Sequence, residues 1–214
     1  MVPNESDTAE QLFQPQLPPR PAEFELIPEN YFAPLELEKV FRRPAPLEVD
    51  LGCGDGRFLA AMAEQVPGRN FLGIERMFGR VSTGCRRAAR QRLENLRILN
   101  LETTYAVEYL LPHGSVAVAH LLFPDPWPKK RHKRRRIVQD DFVASIRRML
   151  APDGRFRIAT DQEDYFEAIR DIVSAAGFAE EPAEEEGSFP VTTFEKRFLA
   201  EGAPIYRLRL RKVD

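Results

Sequence analysis

Val49-Asp50-Leu51-Gly52-Cys53-Gly54-Asp55-Gly56 is the stretch on which the reading of this chain turns. A short apolar strand over 47–51 enters three glycines at alternate positions, and a helix with apolar spacing over 58–66 leaves them. Glycine at such a strand-to-helix turn lets the backbone approach a ligand closely. A second strand over 70–75 ends in Glu75, nineteen residues past Gly56. A carboxylate at that strand tip accepts both hydroxyls of a ribose. A dinucleotide fingerprint wants glycine at position 57, where this chain has Arg57. Asp50 and Glu75 also suit a cationic ligand better than a pyrophosphate. The plainer alternative is a glycine-rich turn that serves only the packing of an α/β protein.

Outward from that turn the βα alternation continues. A helix over 78–93 carries an arginine-rich outer face, a strand covers 96–101, and a short helix over 103–111 ends at Pro112 and the His113-Gly114 turn. The run 116–123 is apolar throughout, as in a parallel strand covered on both faces. An amphipathic helix over 136–150 places Ile137, Phe142, Ile146 and Met149 or Leu150 on one side. Pro152-Asp153-Gly154 turns the chain into a strand over 155–160, and a helix over 165–176 stops at Gly177. Strict alternation over 205–211, with Tyr206, Leu208 and Leu210 opposite three arginines, predicts a half-exposed antiparallel strand. The fold class is therefore α/β, a doubly wound three-layer α/β/α sheet, mostly parallel, closed by an antiparallel C-terminal strand. The G-x-G-x-G spacing preceded by Asp50 resembles motif I of the class I S-adenosylmethionine-dependent methyltransferases. That resemblance implies a Rossmann-like seven-stranded sheet and S-adenosyl-L-methionine as cofactor, held around Asp50, Gly52, Gly54 and Glu75. Asn100 and Glu102 follow the third strand, where such enzymes place polar groups against the adenine; a helix cap at Thr103 explains the same residues.

The second informative stretch is Phe123-Pro124-Asp125-Pro126-Trp127-Pro128, followed at once by a cationic run. It lies at the carboxyl end of the fourth strand, beside the crevice where open α/β sheets bind ligands. Prolines on both sides of Asp125 fix its backbone and remove competing N–H groups. The pattern resembles the Asx-Pro-Pro-aromatic motif of enzymes that methylate planar nitrogens; a rigid turn with Trp127 in the core is the structural alternative. Seven of the eight residues at 129–136 are Lys or Arg. The chain's net charge is only −2, but without that run it would hold 24 basic against 33 acidic residues, a net −9. Positive charge is thus concentrated where it can meet phosphates.

Asp-Pro-Trp-Pro-Lys-Lys-Arg-His at 125–132, Ala-Thr-Asp at 159–161 and Thr-Thr-Phe-Glu-Lys-Arg at 192–197 together resemble the bacterial tRNA (guanine-N7-)-methyltransferases. The resemblance covers about residues 46–212 and implies methylation of guanosine 46 in the tRNA variable loop, with tRNA as partner. It implies cofactor contacts at Asp50, Glu75, Glu102 and Asp125, and substrate contacts at Lys129, Asp161, Thr192, Thr193, Phe194 and Glu195. Asp125 is the catalytic candidate; Asp161 and Glu195 are candidates to clamp the guanine edge, and Phe194 either stacks on the base or packs in the core. Asp50 stands where the family commonly has Glu, and Glu102 where it commonly has Asp. Each keeps the charge and shifts its reach by about one methylene.

Two other readings stay open on the residues alone. One is a class I methyltransferase acting on a small molecule or protein, and the other is a non-catalytic RNA-binding relative. With 214 residues and 43% hydrophobic content the chain suits one core. The expected organisation is an acidic, proline-rich extension over 1–45, partly disordered, and a methyltransferase domain over 46–214. Residues 1–30 carry six prolines and six acids against Arg20 alone. No apolar run approaches the ~20 residues of a membrane span, and the N-terminus reads as neither a signal nor a transit peptide. Cys53 and Cys85 form no C-x-x-C pair and His113, His120 and His132 are scattered, so no metal site is expected. A cytoplasmic protein is expected, either a monomer or a homodimer.

Overall fold

In the computed structural model, which describes residues 20–182 and 189–213, the chain joins the fold earlier than its composition suggests. A 3-10 turn at Pro21–Phe24 buries Phe24, and β1 (Glu25–Leu26) then pairs in parallel with β4 (Leu96–Asn100). Leu35 and Phe41, on either side of α1 (Leu37–Val40), are also buried. Within the extension expected over 1–45, the part from residue 20 onward thus packs apolar side chains on the sheet; residues 1–19 lie outside the described residues. Proline and acid content concealed four apolar anchors, Phe24, Leu26, Leu35 and Phe41, that are spaced too irregularly to show a period.

β2 (Leu47–Leu51) and β3 (Asn70–Glu75) are buried at every position, joined by α2 (Arg57–Gln65). Helix α3 (Phe78–Gln91) connects β3 to β4. α4 (Thr103–Tyr105) continues as a π-helical turn, Ala106–Leu110, before β5 (Val116–Leu122). A 3-10 turn at Lys130–Arg135 precedes α5 (Asp140–Met149), β6 (Leu150–Thr160) and α6 (Glu163–Ala175). β7 (Phe178–Glu180), α7 (Thr193–Ala200) and β8 (Tyr206–Lys212) complete the chain. The strand order is β1-β4-β3-β2-β5-β6-β8-β7, with β8 antiparallel to both neighbours and the other pairings parallel. Among the described residues the sheet thus has eight strands rather than seven, because β1 adds an edge.

Helices α2 and α3 cover one face with Phe58, Leu59, Val81 and Ala88; the π turn, α5 and α6 cover the other with Leu110, Ile146 and Ile169. Two elements differ from their expected form. The helix expected from 136 starts only at Asp140, because Arg136 is buried and holds the preceding segment extended. The turn at Pro152-Asp153-Gly154 is a bulge inside β6: Asp153 takes φ +55°, and the β5–β6 register slips between Val116 and Val118. Between the helices the core also takes in a polar group, His120, whose Nε2 lies 2.8 Å from Glu48. Burial pushes the Glu48 carboxyl up, but His120, Arg69 and Arg157 outweigh it and hold it below its usual range.

Candidate active site

The carboxyl ends of β2, β3, β4, β5 and β6 bring most of the expected residues to one edge of the sheet. After β2 the chain passes through Gly52, Gly54 and Gly56, all at positive φ. The amides of Gly52 and Cys53 donate to Ile74 O at 2.8 and 2.9 Å, which ties the loop to β3. A Cβ on Gly52 or Gly54 would meet nothing within 4 Å, so the loop borders open space; at Gly56 it would press on Gly84 and Ile98 at 3.3 Å. Gly56 therefore serves the close packing of α2 against α3, whereas Gly52 and Gly54 border open space.

Glu75 ends β3 almost buried, accepting from the amides of Gly54 (3.1 Å) and Met77 (2.9 Å), with Arg80 at 3.7 Å. Asn100, opposite Glu75 in the β3–β4 register, donates through Nδ2 to Glu75 O at 3.0 Å. Asp50 is 4% exposed. Burial first, and then the charge of Glu75, push its carboxyl up to about 7. A buried carboxyl so destabilised in its charged form, beside a glycine loop facing open space, is the donor set that a cationic amino-acid ligand with a ribose would satisfy. Glu102 is exposed and accepts from Tyr105 N at 2.8 Å, capping α4. The capping explanation of this residue, placed at Thr103 from sequence, belongs to Glu102 itself.

At the tip of β5, Phe123 turns at φ +57° and its amide donates to Ala159 O of β6 at 2.8 Å. Asp125 follows, exposed between its prolines, and Trp127 takes φ +43°. Trp127 is half-buried, with the Arg135 guanidinium 5.0 Å from its ring and His132 edge-on at 5.8 Å. It therefore braces the cationic turn instead of entering the core. Asp161 leaves β6 two residues beyond Ala159, half-buried, and accepts from Gln162 Nε2 at 2.6 Å.

The C-terminal motif is a helix start, unrecognised from sequence. Thr192 Oγ1 accepts from Glu195 N at 3.0 Å and Glu195 accepts from Thr192 N at 3.4 Å, a complete capping box for α7. The Thr-x-x-Glu spacing ahead of Phe198 and Leu199 was the available signal. The other Glu195 oxygen pairs with Arg207. Thr193 and Phe194 stay exposed at this head, and the Phe194 ring lies 6.5 Å from Phe123. The capping box thus places Phe194 beside the Asp125 turn.

Not all of the cationic run faces solvent. Lys129 and Arg131 are exposed, as are Arg134 and Arg135. Arg136 is 5% exposed; it donates to Pro126 O at 2.8 Å and to Asp164 at 2.7 Å, and lies 4.4 Å above the Tyr165 ring. Lys133 also pairs with Asp164 at 2.8 Å. Arg136 is a positioning residue missed from sequence because nothing in a run of like charges marks the one that turns inward. A cavity of about 410 Å³ lies elsewhere, under Arg157 and Phe189, and Glu48 and Val118 in its wall precede the strand tips.

This sheet order, with a glycine-rich loop after its first central strand and an acid ending the next, defines a class I S-adenosylmethionine-dependent methyltransferase. The chain belongs to the family described as "Putative methyltransferase", whose model matches residues 44–208. A tRNA (guanine-N(7)-)-methyltransferase of Geobacter metallireducens is 35% identical over 88% of this chain and 92% of its own. A second protein of that name, from Leifsonia xyli subsp. xyli, is 42% identical over 83% of this chain and 81% of its own. Among solved structures, the 16S rRNA methyltransferase KamB superposes with a TM-score of 0.61 at 16% identity, covering 84% of this chain and 93% of its own. A 16S rRNA (adenine(1408)-N(1))-methyltransferase mutant with cosubstrate SAM from Catenulisporales acidiphilia gives 0.56 at 20% identity, covering 79% and 86%. These two likenesses concern the fold.

Proposed function

We propose that this protein transfers a methyl group from S-adenosyl-L-methionine to N7 of a guanine in tRNA, guanosine 46 of the variable loop, in the cytoplasm. The observation that carries the reading is a juxtaposition. The exposed Asp125 turn stands between the glycine loop on one side and Asp161 with the head of α7 on the other, and the cationic turn follows it directly. The names of the relatives give the substrate class.

Bound S-adenosyl-L-methionine supplies an electrophilic methyl group on sulfur. Gly52 and Gly54 would leave room for it, Glu75 would accept from the ribose hydroxyls, Asp50 would face its cationic end, and Asn100 and Glu102 would border the adenine. Guanine N7 has a free lone pair and no proton, so the chain has no base catalysis to perform. Its task is to hold the ring in line with the bond that breaks, and such positioning supplies much of a rate enhancement. N7 alkylation leaves the ring cationic, so the Asp125 carboxylate favours the charge that develops. Asp161 accepts from the N–H donors of the Watson–Crick edge, which adenine cannot match. Glu195 serves the same selection by holding α7, with Phe194 offered to the base face. Lys129, Arg131, Arg134 and Arg135 meet phosphates.

Labelled S-adenosyl-L-methionine and total tRNA, followed by chemical cleavage at N7-methylguanosine, test the proposal. A single modified position in the variable loop is expected. Label transferred to another base, or to no RNA, would overturn it.

A further inference from the structure

Between residues 76 and 93 the chain has six arginines and no acid. Arg76 precedes α3, Arg80, Arg86, Arg87 and Arg90 lie within it, and Arg92 follows it. Arg80 answers Glu75 at 3.7 Å and Arg87 answers Asp55 at 3.1 Å. Among the described residues Arg86 bonds only to the hydroxyls of Ser82 and Thr83. Arg76, Arg86, Arg90 and Arg92 are exposed, and among the described residues none of them has a carboxylate within ion-pair range. Like charges four apart, as at Arg86 and Arg90, oppose the helix that carries them. A solvated helix face ordinarily intersperses acids; this one has none of its own, and Arg80 and Arg87 are answered from outside it.

The position of the stripe matters as much as its charge. Because α3 leaves β3 directly after Glu75, its head stands at the rim of the cofactor crevice, and there Met77 and Phe78 are 51% and 67% exposed. An exposed aromatic between Arg76 and Arg80 is the pairing that stacks an unpaired base while holding its phosphates. The helix covers the sheet face opposite the one against which α5 packs, so its head and the turn at Lys130–Arg135 flank the crevice from two sides, and the remaining arginines continue down the flank from the rim.

We infer that the arginine face of α3, headed by Phe78, is a second tRNA-binding surface that grips the backbone on the cofactor side of the crevice. The inference rests on the tRNA reading above. A folded tRNA is a polyanion broad enough to lie across the rim and touch both cationic surfaces, whereas a small substrate reaches neither.

The test is the salt dependence of tRNA affinity, measured by filter binding, for the wild type and for Arg86→Gln/Arg90→Gln/Arg92→Gln. The slope of log affinity against log salt is expected to fall by roughly 0.7–0.9 for each phosphate that the variant no longer neutralises. Affinity for S-adenosylhomocysteine, measured by calorimetry, stays unchanged. The Arg→Lys triple variant keeps the slope, because charge and not guanidinium shape is at work. Should the triple Gln variant fail to fold, Arg90→Gln alone is read in the same way. A wild type that methylates tRNA while the Gln variant keeps its slope would overturn this surface and leave the proposed function intact. Loss of self-association in place of a changed slope would assign the face to a second copy and equally overturn it. A wild type that neither binds nor methylates tRNA overturns both.

Discussion

Asp50 is the residue at which sequence and environment combine most directly. Its folded carboxyl titrates near 7 while an unfolded one titrates near 3.8, so the folded ligand-free protein binds the extra proton between those values. Stability from this group is therefore present at low pH and lost as pH rises from about 4 through 7, by on the order of a few kcal/mol. Asp50→Asn is expected to raise the melting temperature at pH 8 and to leave it little changed at pH 4, as thermal denaturation at the two values would read. A cationic ligand beside Asp50 reverses the preference. Cofactor affinity should rise with pH up to about 7, with a proton released on binding below it, and Asp50→Asn should flatten that profile in calorimetry. Asp125 and Asp161 separate by a kinetic criterion. Single-turnover assays at saturating tRNA and cofactor should show Asp125→Ala slowed most in the chemical step. Asp161→Ala should mainly raise KM and relax guanine selection. Neither should be rescued by added buffer bases, since N7 has no proton to lose; rescue would overturn the mechanism without a base.

The segment at 129–136 is one run in the sequence and two devices in the structure. Its exposed members sit on the 3-10 turn, while Arg136 closes the turn by reaching Pro126, Asp164 and Tyr165. Replacing Arg134 and Arg135 by Gln should flatten the salt dependence of tRNA binding and leave thermal stability near that of the wild type. Arg136→Met should do the opposite. It strips the Pro126 carbonyl of its donor and leaves Asp164 to Lys133 alone, so the melting temperature falls, and a loss of the Asp125 turn geometry lowers methyl transfer in step. Equal behaviour of the two variants in both assays would mean that the run acts as a single charged surface. α7 teaches the same lesson in reverse. Thr192 and Glu195 read as substrate contacts through resemblance, and in the fold Thr192 Oγ1 and one Glu195 oxygen build the helix start that carries Phe194, while the other Glu195 oxygen pairs with Arg207.

The N-terminal edge shows how far the domain extends beyond its motif-bearing part. Phe24 packs with Val81, Cys85 and Ile98, and β1 extends the sheet past β4. Phe24→Ala should cost about 3 kcal/mol or more, within the range for truncating a buried phenylalanine. Urea denaturation checks this, and a change near zero would show the segment to be an appendage after all. The same edge brings Tyr31 against Tyr105, whose hydroxyl donates to the Tyr31 carbonyl at 2.9 Å beside the end of β4. The N-terminal segment and the turn after β4 are therefore mechanically joined.

The amino-acid sequence alone specified the doubly wound sheet and its antiparallel last strand, because both follow from local periods. These were apolar runs for the parallel strands, alternation for β8 and a glycine turn at a fixed distance from Glu75. It also brought Asp50, Glu75, Asn100, Asp125 and Asp161 to one edge, since residues just past parallel strands share the carboxyl end of the sheet. Other features have no local signature. Burial of Arg136 depends on Asp164 and Tyr165, far along the chain. The edge strand β1 depends on a partner about seventy residues away, and the elevated Asp50 carboxyl depends on the layers packed around it. Each is a property of long-range packing and of the dielectric it creates, and a chain read in one dimension carries neither.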